Sequence, residues 1–153
     1  MKVTDFLGPD MVVADLVADT KAGVLAELSR HLAARVEAVD PEVLRKVLEE
    51  RELLASTAIG DGIAIPHGKL DAVGRLVGTL GRARQGIEFE SIDGKLTHLV
   101  FMLVAPASST GVHLKALARL SRLFRDAEFR QRLMVAANAA AMYQVIVEED
   151  AKY

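Results

Sequence analysis

A chain of 153 residues, 51% of them apolar and 26% charged, is long enough to bury a real core and most simply forms one domain over 1–153. Its formal charge of −2 and aromatic content of 5% supply neither a basic field nor a stacking platform, which argues against nucleic acid as the main partner. The absence of cysteine excludes disulfides, thiolate catalysis and Cys-type zinc sites and fits a cytosolic protein; no apolar run approaches the roughly 20 residues of a membrane span, and MKVTDFLGPD at the start holds no signal-like apolar stretch.

In chain order, MVVADL (11–16) reads as a short strand. TKAGVLAELSRHLAARV (20–36) reads as a helix, with Val24, Leu25, Leu28 and Leu32 on one face and Thr20 placed to cap it. DPEVLRKVLEERELLA (40–55) opens with Asp40 at the cap position and Pro41 at the first helical one, a strong start signal. GIAIP is a short strand that Pro66, lacking an N–H, is expected to stop. RLVGTLGRA (75–83) reads as a strand, and THLVFMLVAP (97–106) as a central strand covered on both faces. GVHLKALARLSRLFRD (111–126) is strongly periodic, with candidate caps in Ser108–Thr110, and two further helices are expected over 126–136 and 139–148. Strands flanked by helices predict an α/β fold, a three-layer α/β/α sandwich around a mixed sheet.

Three residues break their local pattern. His67 ends the segment DGIAIPHGK among Gly60, Gly62 and Gly68. Glycine permits close backbone approach and Pro66 stiffens the segment, so one imidazole is presented from a rigid strand end. A histidine neutral near pH 7 can take a phosphoryl group covalently; a turn histidine bonded to backbone is the plainer alternative. Arg51 continues the apolar stripe of Val43, Leu44, Val47 and Leu48, where it either offers a planar fork to phosphate oxygens or snorkels to Glu50 or Glu52. His113 falls in the first turn of its helix on the apolar side. There it is either a structural histidine or a neutral imidazole beside a helix N-terminus that attracts anions. His31 and His98 carry no such context. The basic residues Lys115, Arg119, Arg122, Arg125, Arg130 and Arg132 form either a partner surface or a solvated helix face.

RELLASTAIGDGIAIPHGK (51–69) resembles the active-site segment of the EIIA domains of the bacterial phosphoenolpyruvate:sugar phosphotransferase system, fructose/mannitol class. IEFESIDGKLTHLVFMLVAP, HLKALARLSRLFRD and MYQVI are similar to further family segments, so the likeness spans nearly the whole chain. The resemblance implies that His67 carries the phosphoryl group, that Arg51 holds its oxygens and that His113 is the second active-site histidine, orienting the site. Ser56 and Thr57 match the family's "ST" and are expected to help form it. The implied reaction is in-line transfer from the phosphohistidine of an HPr-like carrier, with no metal or other cofactor and with both imidazoles neutral beforehand, because a second cation beside His67 would be costly.

MYQVI and the absence of a trailing EIIB-like segment tilt the expectation to the nitrogen-type branch, whose phosphorylation state controls binding to regulatory partners. A sugar-specific EIIA that passes phosphate to an EIIB protein is the alternative within the family. Outside it stand a non-catalytic module holding an anion or metal at His67 and His113, for which two histidines make a poor zinc site, and a purely structural reading.

Overall fold

The structure, a computed structural model, describes residues 1–153. Its elements are β1 (Val12–Val13), α1 (Lys21–Ala33), α2 (Pro41–Leu54), β2 (Ala58–Gly60), β3 (Ile63–Ala64), β4 (His67–Lys69), β5 (Val77–Ile87), β6 (Thr97–Ala105), α3 (Thr110–Phe124), α4 (Ala127–Val135) and α5 (Ala139–Asp150). The expected start signals operate: the Thr20 side chain accepts from Gly23 N–H, and Asp40 accepts from the N–H groups of Glu42 and Val43 ahead of Pro41. No helix is long and apolar enough to cross a membrane.

The sheet is mixed, as expected. β5 and β6 pair antiparallel at its centre, β1 adds parallel to β5, and β3 and β4 both run parallel to β6, with β2 antiparallel to β3. Every residue of β6 except His98 is buried, because helices cover both faces. Gly68 of β4 lies against Val47 and Leu48 of α2 on one face. On the other, Phe101 of β6 packs edge-on against Phe6 and Phe124 of α3. The result is the three-layer sandwich, with one contiguous apolar core.

Several details depart from the sequence reading, among them β2 (Ala58–Gly60), which it did not anticipate. β1 is only two residues long. β5 continues past residue 83 to Ile87, through an irregularity at Gly86, whose φ of 84° a side chain would strain. Most consequential, β3 does stop ahead of Pro66, at Ala64, but an unexpected strand, β4, resumes the ladder directly after it. Ile63 pairs with Leu99 and His67 with Leu103, so β3 and β4 keep one register across the interruption. Proline forfeits a single donor, and its carbonyl still accepts from Leu103 N–H at 2.9 Å. That retained bond carries the ladder on to His67.

The charged residues of the α3–α5 layer mostly work inside the molecule. Arg119 pairs with Asp150 at 3.0 Å, Arg132 with Glu148, and Arg122 sits 4.8 Å from the Tyr153 ring. Arg130 donates to the carbonyls of Phe124 and Arg125 at the end of α3, which leaves Lys115 and Arg125 as the free charges of the expected basic face. Arg82 of β5 is fully buried without a carboxylate. It donates to the carbonyls of Ala14, Leu133, Met134 and Ala136, so it caps the C-terminus of α4, where carbonyls lack helical partners.

Candidate active site

The register of β4 on β6 sets the site. Side chains alternate along a strand, so His67 and Lys69 face α3, while Gly68 between them turns toward α2 with no side chain to hold that helix away. The His67 Nδ1 lies 2.7 Å from the Ile65 carbonyl oxygen. A carbonyl only accepts, so Nδ1 carries the proton and Nε2 keeps a free lone pair. The plainer reading of His67 as a backbone-bonded histidine and the functional one therefore describe a single arrangement.

His113 enters from the first turn of α3, 6% exposed, with its ring centroid 5.2 Å from that of His67 and the two planes at 76°. Arg51 comes from the last turn of α2, where Nη1 donates to the Ala55 carbonyl at 3.1 Å. Lys69 Nζ donates to Thr110 Oγ1 at 2.8 Å. Together with Glu50 these side chains line a cleft of about 610 Å³ between the end of α2 and the start of α3. Ser109 places no side-chain oxygen on the first turn of α3, so the N–H groups there stay unpartnered beside the cleft.

Burial holds His67 below the ordinary imidazole pKa and the nearby Arg51 charge adds to this, while the Ile65 bond and the Glu52 charge pull the other way. Burial also lowers His113, helped by His67 and Lys69. Both rings are neutral at neutral pH. The two cations of the cleft are bound only to neutral oxygens, a carbonyl and a hydroxyl, so neither has to leave a carboxylate to meet an arriving anion, although Glu50 also lines the cleft. No three His, Cys, Asp or Glu side chains gather to hold a metal ion. The arrangement suits a nucleophilic imidazole that receives a dianionic group.

The family model described as "Phosphoenolpyruvate-dependent sugar phosphotransferase system, EIIA 2" matches residues 5–149. The chain belongs to this EIIA family. The EIIA chain is 39% identical over 146 residues to a nitrogen regulatory protein of Bradyrhizobium diazoefficiens, covering 95% of each. It is 34% identical over 150 residues to the fructose-specific EIIABC component of Bacillus subtilis, spanning 98% of this chain and 24% of that longer protein. Among solved structures, the nitrogen regulatory protein IIA-Ntr of Neisseria meningitidis superposes with a TM-score of 0.88 at 29% identity, covering 94% of this chain and 98% of that one. Mannitol IIA of Escherichia coli shares the fold, with a TM-score of 0.76 at 21% identity, covering 91% and 97%. The EIIA family is one of phosphoryl carriers of the phosphotransferase system.

Within this EIIA chain, His67, Arg51 and His113 meet at one cleft, from three separate elements. Ser56 and Thr57 do not line it. Ser56 Oγ donates to the Phe89 carbonyl at 2.6 Å, and Thr57 Oγ1 donates to Glu52. Lys69 and Thr110 do line it and were not singled out from sequence. The signal for Lys69 was present: it stands two residues after His67, so once a strand resumes after Pro66 the two share a face.

Proposed function

We propose that this EIIA protein accepts a phosphoryl group on His67 Nε2 from the phosphohistidine of an HPr-like carrier, working in the cytoplasm, and that its phosphorylation state governs binding to regulatory partners. The observation that carries the reading is the Nδ1–H bond to Ile65, which leaves Nε2 as the nucleophile inside a cleft of uncommitted cations. In the transfer, the Nε2–P bond forms as the donor's N–P bond breaks, and the breaking pair returns to the donor ring nitrogen. The proton stays on Nδ1, so the His67 ring becomes cationic and the Ile65 carbonyl stabilises it. Arg51 and Lys69 exchange their neutral oxygen partners for phosphoryl oxygens, a charge-assisted trade. The buried Nδ1 of His113 has no partner, which leaves Nε2 to meet the phosphoryl group. Leu54 and Leu114, 82% and 61% exposed at the mouth, form an apolar rim suited to a protein donor rather than a small one.

The likeness to nitrogen regulatory proteins favours the regulatory branch. The 34% identity to a fructose-specific EIIABC component supports a second reading, transfer onward to an EIIB protein in sugar uptake. The test is intact mass after incubation with phosphoenolpyruvate, enzyme I and an HPr-like carrier. One acid-labile phosphoryl mass is expected in wild type and His113→Ala and none in His67→Ala; its absence from wild type with several donors would leave a non-catalytic anion- or partner-binding module. Chase of the label to an EIIB protein would select the sugar reading.

A further inference from the structure

Ile65 makes two bonds that bracket the nucleophile. Its carbonyl takes the His67 Nδ1 proton at 2.7 Å, and its own N–H donates to the Thr57 carbonyl at 3.0 Å. The direction of the His67 ring therefore depends on where Thr57 stands. Thr57 is 4% exposed and doubly held by one side chain: its N–H donates to both Glu52 oxygens, at 3.3 and 3.2 Å, and its Oγ1 donates to the same carboxylate. Ser56 fixes the preceding residue through Phe89 and accepts from Ala58 N–H at 3.2 Å.

Glu52 is an unexpected residue for this place. It lies in the last turn of α2, where the helix dipole disfavours an acid, and its side chain is only 6% exposed. Lys21 Nζ offsets the charge at 2.7 Å while sitting 5.0 Å from the Phe89 ring. An acid this buried at the wrong helix end is not explained by α2 itself. It is explained by what it grips.

We propose that Glu52 and Thr57 are positioning residues for phosphoryl acceptance at His67: the Glu52 carboxylate fixes Thr57, the Thr57 carbonyl fixes Ile65, and the Ile65 carbonyl fixes the Nδ1–H tautomer that frees Nε2. The proposal rests on the reading of His67 as the acceptor and deepens it. It also gives Ser56 and Thr57 a task at one remove from the phosphoryl group. The Glu52 charge reaches the ring as well, opposing the downward pull of burial and Arg51.

The test has two arms on the full chain. In the first, imidazole ¹⁵N spectra above the titration range read the His67 tautomer with no phosphoryl donor present. In the second, intact mass follows phosphoryl uptake from phosphoramidate. Wild type is expected to show protonated Nδ1. In Thr57→Val and Glu52→Gln the two ring nitrogens should move toward an averaged position and uptake should slow by about tenfold, the scale of lost positioning partners elsewhere. Thr57→Ser, which keeps the hydroxyl, should restore both. If Glu52→Gln unfolds around the stranded Lys21, Lys21→Met/Glu52→Gln removes that charge and carries the test. A wild-type tautomer and uptake within twofold in folded Thr57→Val and Glu52 variants would overturn the proposal. Failure of wild type to take up phosphoryl would sink the acceptor reading instead, and the tautomer arm would still decide the positioning.

Discussion

Gly68→Ala is a small change with a large expected effect. Gly68 does not use the left-handed conformation, so alanine meets no backbone objection. Its Cβ, however, would stand 2.8 Å from Val47 Cγ1 and 3.8 Å from Leu48 Cδ2. Carbon atoms prefer about 3.5–4.0 Å, so roughly 1 Å must be found. Val47 is β-branched and holds essentially one rotamer in a helix; α2 itself must recede from β4. Overpacking of this kind costs about 2 kcal/mol, or roughly 4–8 °C in Tm for a domain of this size. Arg51 rides on α2 one turn after Val47, so the displacement also carries the guanidinium away from His67, and a shift near 1 Å can cost on the order of 100-fold in rate. The assay is thermal melting together with the rate of phosphoryl mass gain. Val47→Ala in the same chain reopens the space, and the double variant should recover most of the lost rate with a coupling of about 1–2 kcal/mol. A Gly68→Ala protein with wild-type Tm and rate would refute the close approach of α2 and its role in placing Arg51.

Two further outcomes are expected. Because His67 and His113 are held below the ordinary imidazole range, the unfolded chain binds protons near pH ~6.5 that the folded chain refuses. Stability should therefore fall as pH drops from about 7 and level off below the folded-state values. His67→Gln/His113→Gln should flatten that decline in denaturant midpoints measured from pH 7 to 5, and parallel curves would contradict it. Arg82→Met should lower stability by about 2–4 kcal/mol in urea titration: four carbonyls lose their donor at about 1–3 kcal/mol each when left buried, and relief of the buried charge returns part. An unchanged midpoint would mean that water reaches those carbonyls.

What the sequence revealed of this site, and what it hid, follows from how far each constraint reaches along the chain. The helix starts at Thr20 and Asp40 were legible because a cap and the N–H donors it accepts from lie within three residues. β6 was legible because burial on both faces leaves an uninterrupted apolar run. His67, Arg51 and His113 each stood out because each contradicts the pattern of its own element, yet no pattern within an element says that three misfits share a cleft. That meeting, which only the family likeness anticipated, is decided by the pairing of His67 with Leu103 across the sheet. β4 was hidden for a related reason. Proline reads locally as a stop, and β3 does stop, but in the parallel ladder it removes one donor and leaves the carbonyl that Leu103 uses, so the ladder resumes in register as β4 and places Lys69 beside His67. Thr57 shows a different limit. Its match to the family's "ST" led to the expectation that it helps form the site, but not how: the chain turns at Ala55 and carries Thr57 into the core against Glu52 rather than into the cleft lining. A residue can be tied to the chemistry through one backbone bond to its neighbour strand, and such ties follow sheet register rather than sequence distance.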